Sequence, residues 1–240
     1  MAVSETRLLR RETVAERTMA FYFERPPGFE FQAGQNALLT LVEPKEYDSF
    51  GSSRNFSFAS APYEPELMIT TRMRDTAFKR VLGSAPPGTR LRLDGPSGLM
   101  VLDQDPARPV VLLAGGIGIT PFLSMAKHAA RNRLPHAIHL FYSNRRPEDA
   151  PFLGELRLLE RANPNFHLVA TMTQMHKSAL PWEGETGPIG PKLLQSRVPE
   201  PKKAVYYFAG PPNMAISMQV MLTDLGVADD DMRSEEFFGY

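Results

Sequence analysis

Two short segments carry residue types that can do chemistry on a bound heterocycle. The first is Arg54-Asn55-Phe56-Ser57-Phe58-Ala59-Ser60. A guanidinium binds phosphate through two parallel hydrogen bonds. A serine hydroxyl can reach a ring nitrogen, and an aromatic side chain can stack on a flat ligand. Taken alone, the segment also reads as a surface arginine beside core aromatics. The second is PVVLLAGGIGITPFLSM, Pro109 to Met125, a continuous apolar run that enters Gly115, Gly116 and Gly118 and then a helix-like stretch. Glycines allow a tight turn and a close backbone approach to a pyrophosphate. The unpaired N–H groups of the following helix face the anion. The full G-x-G-x-x-G is absent because Pro121 takes its last position, so a glycine turn without a ligand is the other reading.

The elements that must position these segments fall into two patterns. Up to about residue 100, short apolar or alternating runs (Met19–Phe23, Ala37–Val42, Phe56–Ala59, Leu67–Thr71, Arg90–Leu93) are separated by turn residues. This spacing predicts an antiparallel sandwich or barrel, with one short helix over Thr76–Leu82. After the loop Asp103–Pro109, strands expected at Val110–Ala114, Ile138–Tyr142, His167–Thr171 and Val205–Ala209 alternate with helices. These are expected from near Pro121, over Ala150–Ala162 and over Asn213–Leu225. Such alternation predicts a doubly wound parallel sheet. The fold class is therefore a two-domain one, an N-terminal antiparallel β-barrel (1–104) and a C-terminal α/β doubly wound domain (105–240).

Read together and in order, the segments resemble the ferredoxin–NADP reductase superfamily. Arg54 to Ser60 is similar to its R-x-[YF]-S-x-A-S flavin signature, with Phe in the aromatic position. Gly115-Gly116-Ile117-Gly118-Ile119-Thr120-Pro121 is similar to its GxGxTP segment. Ala209-Gly210-Pro211-Pro212-Asn213-Met214 is similar to its C-G-P-P-x-M segment, with Ala209 in place of Cys. The resemblance implies that Arg54 binds the flavin phosphate, Ser57 bonds near the flavin N5 edge, and Asn55 and Phe56 line the site. It also implies contributions from the next strand, Met68, Ile69 and Thr70, and from the helix start at Thr76 and Ala77. Nicotinamide-nucleotide contacts are implied for Gly115, Gly116, Gly118, Thr120, Pro121, Gly210, Pro211 and Met214. Members often end on a Glu and an aromatic over the flavin, which points to Glu236 with either Phe238 or Tyr240. Ser143, Arg145 and Arg146 follow the second strand of the C-terminal half, where an adenosine ribose or its 2′-phosphate lies in such sheets. The Ser-Arg pair of many NADPH-specific members has no match, since Thr173-Gln174 stands there, and this favours NADH while NADPH stays open.

The implied activity is a flavin-dependent oxidoreductase. It takes hydride from NADH or NADPH onto bound FAD (FMN being the other option) and passes electrons to a separate acceptor, a ferredoxin, another redox protein or a small molecule. The alternative is a flavin-binding regulatory or electron-transfer subunit of a larger complex, without independent turnover. Composition narrows the rest. The 240 residues balance 27 basic against 27 acidic side chains, which gives no charge argument for nucleic acid. With no Cys, the chain holds no disulfide, thiolate zinc site or Cys-ligated cluster. The five His show no metal-ligand spacing, so no metal is expected. The first residues lack an apolar signal region and no run approaches a membrane span, so the expectation is a soluble, cytoplasmic protein.

Overall fold

A computed structural model describes residues 3–236. The N-terminal half is a six-stranded antiparallel sheet. Its strands are β1 (Val3–Ala15), β2 (Thr18–Glu24), β3 (Asn36–Leu41), β4 (Ser53–Ser57), β5 (Glu66–Arg72) and β6 (Arg90–Ser97), in the spatial order β4-β3-β6-β1-β2-β5. A short helix, α1 (Ala77–Ser84), follows β5. The sheet curls around a core of Leu8, Phe21, Phe23, Leu39, Ile69 and Leu91, which Phe78 and Leu82 of α1 close from one end. Phe29, Phe31 and Phe58 pack ring on ring inside it, with centroids 4.5–6.3 Å apart.

The C-terminal half is a parallel sheet of β7 (Val110–Gly115), β8 (Ile138–Asn144), β9 (Phe166–Met172), β10 (Glu185–Thr186), β11 (Val205–Gly210) and β12 (Met232–Glu236). Its spatial order is β10-β9-β8-β7-β11-β12, so the strand order reverses beside β7. Both faces of β7 are buried, as parallel strands covered on two sides require. Leu112 and Ala114 pack with Phe122 and Met125 of α2 (Ile119–Asn132) and Leu156 of α3 (Leu153–Ala162). Val111 and Leu113 pack with Leu194 of α4 (Pro191–Arg197) and Met218 and Leu222 of α5 (Pro212–Asp224). The fold is thus the expected pairing of an antiparallel flavin-type barrel with a doubly wound sheet. Among the described residues no helix is long and apolar enough to cross a membrane.

Several expected bounds shift for physical reasons. The strand placed at Phe56–Ala59 runs from Ser53 to Ser57. Beyond it, the Phe58 N–H turns to the Gln35 carbonyl and the Ala59 N–H to that of Met68. The helix expected from Pro121 begins two residues earlier, after a 3₁₀ turn over Gly116–Gly118. Pro121 is its third residue, where an N–H has no helical partner to lose. The helix expected from Ala150 begins at Leu153, because Phe152 has φ 62°. β1, β10, β12 and α4 are additions. The loop 98–109 is fastened rather than free: the Val101 carbonyl accepts from the Tyr207 hydroxyl (2.8 Å), and Asp103 pairs with Arg233 (3.1 Å).

Candidate functional site

A cavity of about 480 Å³ opens where β4, β5 and α1 of the barrel face the turn after β7 and the end of β12. That volume suits a cofactor-sized ligand. Arg54, Asn55, Phe56 and Ser57 line it along β4, Thr70 along β5, and Thr76 at the start of α1. Thr120 reaches it from α2. These seven expected residues are brought together. Leu38, Phe50, Phe56 and Ile117 give it apolar surface, the kind of wall a flat heterocycle needs.

The charge in the cavity is arranged in two groups. Arg54 and three basic residues that the motifs did not flag, Arg72, Arg74 and Lys79, line the cavity beside α1. Burial and the neighbouring Arg74 and Arg54 push the Lys79 ammonium down to about 8, while its Nζ donates to the Arg72 carbonyl at 2.8 Å. The basic run Thr71-Arg72-Met73-Arg74-Asp75-Thr76-Ala77-Phe78-Lys79 was the sequence signal for this group. Three residues along β4, about 10 Å of strand, the Ser57 hydroxyl donates to Glu235 Oε2 at 3.0 Å. Asn36 Nδ2 donates to the other oxygen, also at 3.0 Å. Burial pushes the Glu235 carboxyl above the ordinary range, against the opposing effect of these two donors.

The acid against Ser57 is Glu235, a residue not singled out from the sequence, while the side chain of Glu236, the acid that was, lies outside what is described. Ala209 pairs with Glu235 and Gly210 with Glu236 in the register of β11 with β12. Phe238 and Tyr240 lie outside the described residues.

Arg54 is held by its own loop. Its Nη1 donates to the carbonyls of Phe50 (2.7 Å), Gly51 (3.1 Å) and Ser53 (2.7 Å), and its Nη2 lies 3.6 Å from Asp48 Oδ1. Asp48 Oδ2 accepts the N–H of Ala77 at 2.8 Å, and Oδ1 that of Phe50 at 2.9 Å. The Ala77 bond in particular holds the Asp48 carboxyl below the ordinary range. Thr76 caps α1 by accepting the Lys79 N–H at 3.4 Å. Two buried polar atoms on the cavity wall, Arg54 Nη2 and Thr70 Oγ1, have no hydrogen-bond partner among the described residues. Buried polar groups are rarely left so. A ligand with an anionic tail and polar ring edges would satisfy both.

Other expected contacts are placed differently. Met68 and Ile69 are side chains of two cores, 4% and 2% exposed, and the Met68 main chain is engaged as well, its N–H donating to the Ser60 hydroxyl at 2.9 Å and its carbonyl accepting from Ala59 at 2.8 Å. Ala77 offers its N–H alone. Gly115, Gly118, Gly210, Pro211 and Met214 come together at the ends of β7 and β11, where strand order reverses and α/β sheets bind ligands. Their closeness is first a matter of packing: a Cβ on Gly118 would lie 2.1 Å from the Ala209 carbonyl oxygen, and one on Gly115 2.3 Å from Met214 Sδ. Gly116 has φ 53°, which suits glycine. Pro121 is buried in α2. Ser143 pairs with Gly115, Arg145 is exposed, and Arg146 is spent on Asp149 and Glu16, each at 2.8 Å. Those two carboxylates occupy one of the two guanidinium groups, Arg145 and Arg146, that stand where an adenosine ribose or its 2′-phosphate would lie.

A family model described as "Oxidoreductase NAD-binding domain" matches residues 112–219. The glycine betaine monooxygenase reductase subunit of Chromohalobacter salexigens is 28% identical over 232 residues, covering 95% of this chain and 62% of that protein. A flavohemoprotein of Rhodopirellula baltica is 30% identical over 228 residues, covering 87% of this chain and 53% of that protein. The chain thus spans little more than half the length of these relatives. In structure it is similar to a Neisseria gonorrhoeae ferredoxin NADP+ reductase with bound FAD and NADP. The TM-score is 0.81 at 24% identity, over 98% of this chain and 99% of that one, a likeness of fold.

Proposed function

We propose that the chain is a member of the ferredoxin–NADP reductase superfamily, as its NAD-binding-domain match and its reductase relatives support, and that it is an NAD(P)H-dependent flavoprotein reductase that binds FAD in the cavity beside β4. The proposed units are residues 1–104 for the flavin and 105–240 for the nicotinamide nucleotide. One observation carries the reading: a single cavity holds apolar walls, a cluster of four cations, a serine–carboxylate pair, and two buried polar atoms without a hydrogen bond among the described residues. When bound, a flavin supplies acceptance of hydride from a nicotinamide and release of electrons to an acceptor.

The residues of this chain then have distinct tasks. Arg54, Arg72, Arg74 and Lys79 attract and orient the anionic tail. Phe56 and Ile117 exclude water from the ring, and Thr70 and Ser57 offer hydroxyls to its polar edge. Glu235 fixes where the Ser57 hydroxyl hydrogen points. The turn Gly115–Gly118 and the first amides of α2 face the dinucleotide pyrophosphate, with Thr120 between the two ligands and Gly210, Pro211 and Met214 closing the far side. Arg146 is engaged by Asp149 and Glu16 and only the exposed Arg145 remains for a 2′-phosphate, which favours NADH. The onward carrier is separate from these 240 residues, which contain no Cys to ligate a cluster. The names of relatives, reductase components of monooxygenase and dioxygenase systems, support such a partner.

A second reading is a flavin-binding subunit without turnover of its own. Ala209 favours it, since the superfamily's Cys at that position is missing.

The purified protein should be yellow, release FAD on denaturation, and be bleached by anaerobic NADH more readily than by NADPH. A protein that neither carries nor takes up FAD or FMN overturns the proposal. Bleaching by NADH without turnover on ferricyanide selects the second reading.

A further inference from the structure

The loop between β3 and β4 carries an acid at the place where a phosphate is needed. Asp48 Oδ2 accepts the first N–H of α1, from Ala77, at 2.8 Å, and its Oδ1 stands 3.6 Å from Arg54 Nη2. A helix start and a guanidinium together are a ready anion site, and here a carboxylate of the chain already fills it. Arg54 is also turned inward, because its Nη1 spends itself on the Phe50, Gly51 and Ser53 carbonyls. While Nη1 holds all three, the Nη1–Nη2 edge cannot be presented to a phosphate.

The same loop has the marks of a segment with a second position. Phe50 lines the cavity yet is 73% exposed, and Tyr47 is 68% exposed. Gly51, at the loop's end, has φ 73° with open space beside it, and among the described residues its N–H and carbonyl are tied only to Asp48 (3.0 Å) and Arg54 (3.1 Å), the same two residues that would have to part.

We propose that Asp48 is a built-in competitor of the flavin phosphate: the two anions claim the same Ala77 N–H and the same Arg54 guanidinium, and the 48–51 segment yields its place when the cofactor binds. The inference rests on the flavin reading above and adds to it a residue that sets cofactor affinity. Both anions cannot hold one N–H, and a carboxylate left beside a phosphate repels it. Cofactor binding therefore includes breaking the Asp48 contacts, and the affinity is lower than the cation cluster alone would give.

The test is calorimetric titration of flavin-free protein with FAD and with FMN, on the wild type, Asp48→Asn and Asp48→Ser. Both variants keep an oxygen for the Ala77 N–H and remove the charge. Each should bind flavin about tenfold tighter or more, the size expected for releasing one charge-assisted contact. The flavin-free variants should also melt lower than flavin-free wild type, and flavin should raise their melting temperature by more. Equal or weaker binding by both variants overturns the proposal, because Asp48 would then be a helix cap or a ligand of the bound state. Wild type that binds neither flavin overturns the flavin reading itself, whereas wild type that binds alongside unchanged variants overturns only the competition.

Discussion

A carboxylate held away from water by Ser57 and Asn36 carries a cost that depends on pH. Burial raises the Glu235 carboxyl in the folded protein above its value in the unfolded chain. As pH climbs from the ordinary carboxylate range through the raised value, the unfolded chain has already released a proton that the folded protein still holds. Stability therefore falls across that window and stays lower above it. Glu235→Gln removes the charge and keeps the contacts, its oxygen accepting from Asn36 and its amide donating to Ser57. Urea unfolding should show the variant more stable than wild type at about pH 8, with the two converging near about pH 4. A difference of the same size at both pH values would mean that ionisation of Glu235 is not its source. The motif at Arg54 to Ser57 was readable because chemistry packed four adjacent residues into one strand. Glu235 was not, since its role hangs on the register between β11 and β12, and register has no signature in a stretch as polar as Met-Arg-Ser-Glu-Glu.

At the scale of elements, the glycine turn after β7 shows what sequence can and cannot tell. A strand running into glycines and a helix was legible, as were β2, β3, β5, β8, β9 and β11, because apolar runs and turn residues mark them. β1 escaped notice because seven of its thirteen side chains are exposed and five of those are charged, although it lies in the interior of its sheet. The partner of the turn also escaped notice. Gly118 has the backbone of an ordinary helical residue, φ −61°, so a side chain would not strain it. The Ala209 carbonyl oxygen is what leaves no room. Gly118→Ala should cost about 1–3 kcal/mol, as overpacking does, with no nucleotide present. Gly154→Ala, in α3 with nothing within 4 Å, should be neutral or stabilising by up to about 1 kcal/mol. Denaturant midpoints of the two variants compare the effects directly. If Gly118→Ala weakens only nucleotide binding, the glycine serves the ligand and not the packing.

Across the whole molecule, the two halves are fastened side by side. Ala20, Ala33, Ala59 and Met68 of the barrel belong to the same buried cluster as Ile119, Phe122 and Met125 of α2. Ser124 donates to the Ser60 carbonyl at 2.7 Å, and the backbone N–H of Glu16 donates to Glu148 at 2.9 Å. Asp149 joins Arg72 of β5 to Arg146. Burial raises its carboxyl, but the bonds from Arg146 and Arg72 outweigh this and hold it below the ordinary range. Asp149→Ala leaves two half-buried guanidinium groups without this acid. Breaking a fully buried pair costs about 3–5 kcal/mol, and partial exposure of both arginines reduces this to about 2–3 kcal/mol. With so much shared core, the loss should appear as one earlier transition. Trp182 fluorescence and far-UV circular dichroism should coincide, and two separated transitions would show that the halves unfold independently.

The place of β1 has a consequence in time. Val3 pairs with Asp94, so the second edge of the first strand waits for a partner made some ninety residues later. At ribosomal speeds of about 5–20 residues per second, that is a wait of roughly 5–18 s. β1 can zip onto β2 at once, but its other edge stays open, and an open edge invites pairing with other chains. Glu5, Arg7, Arg10, Arg11 and Glu12 stud the strand. Their charges keep a nascent hairpin from sticking to its neighbours until β6 arrives.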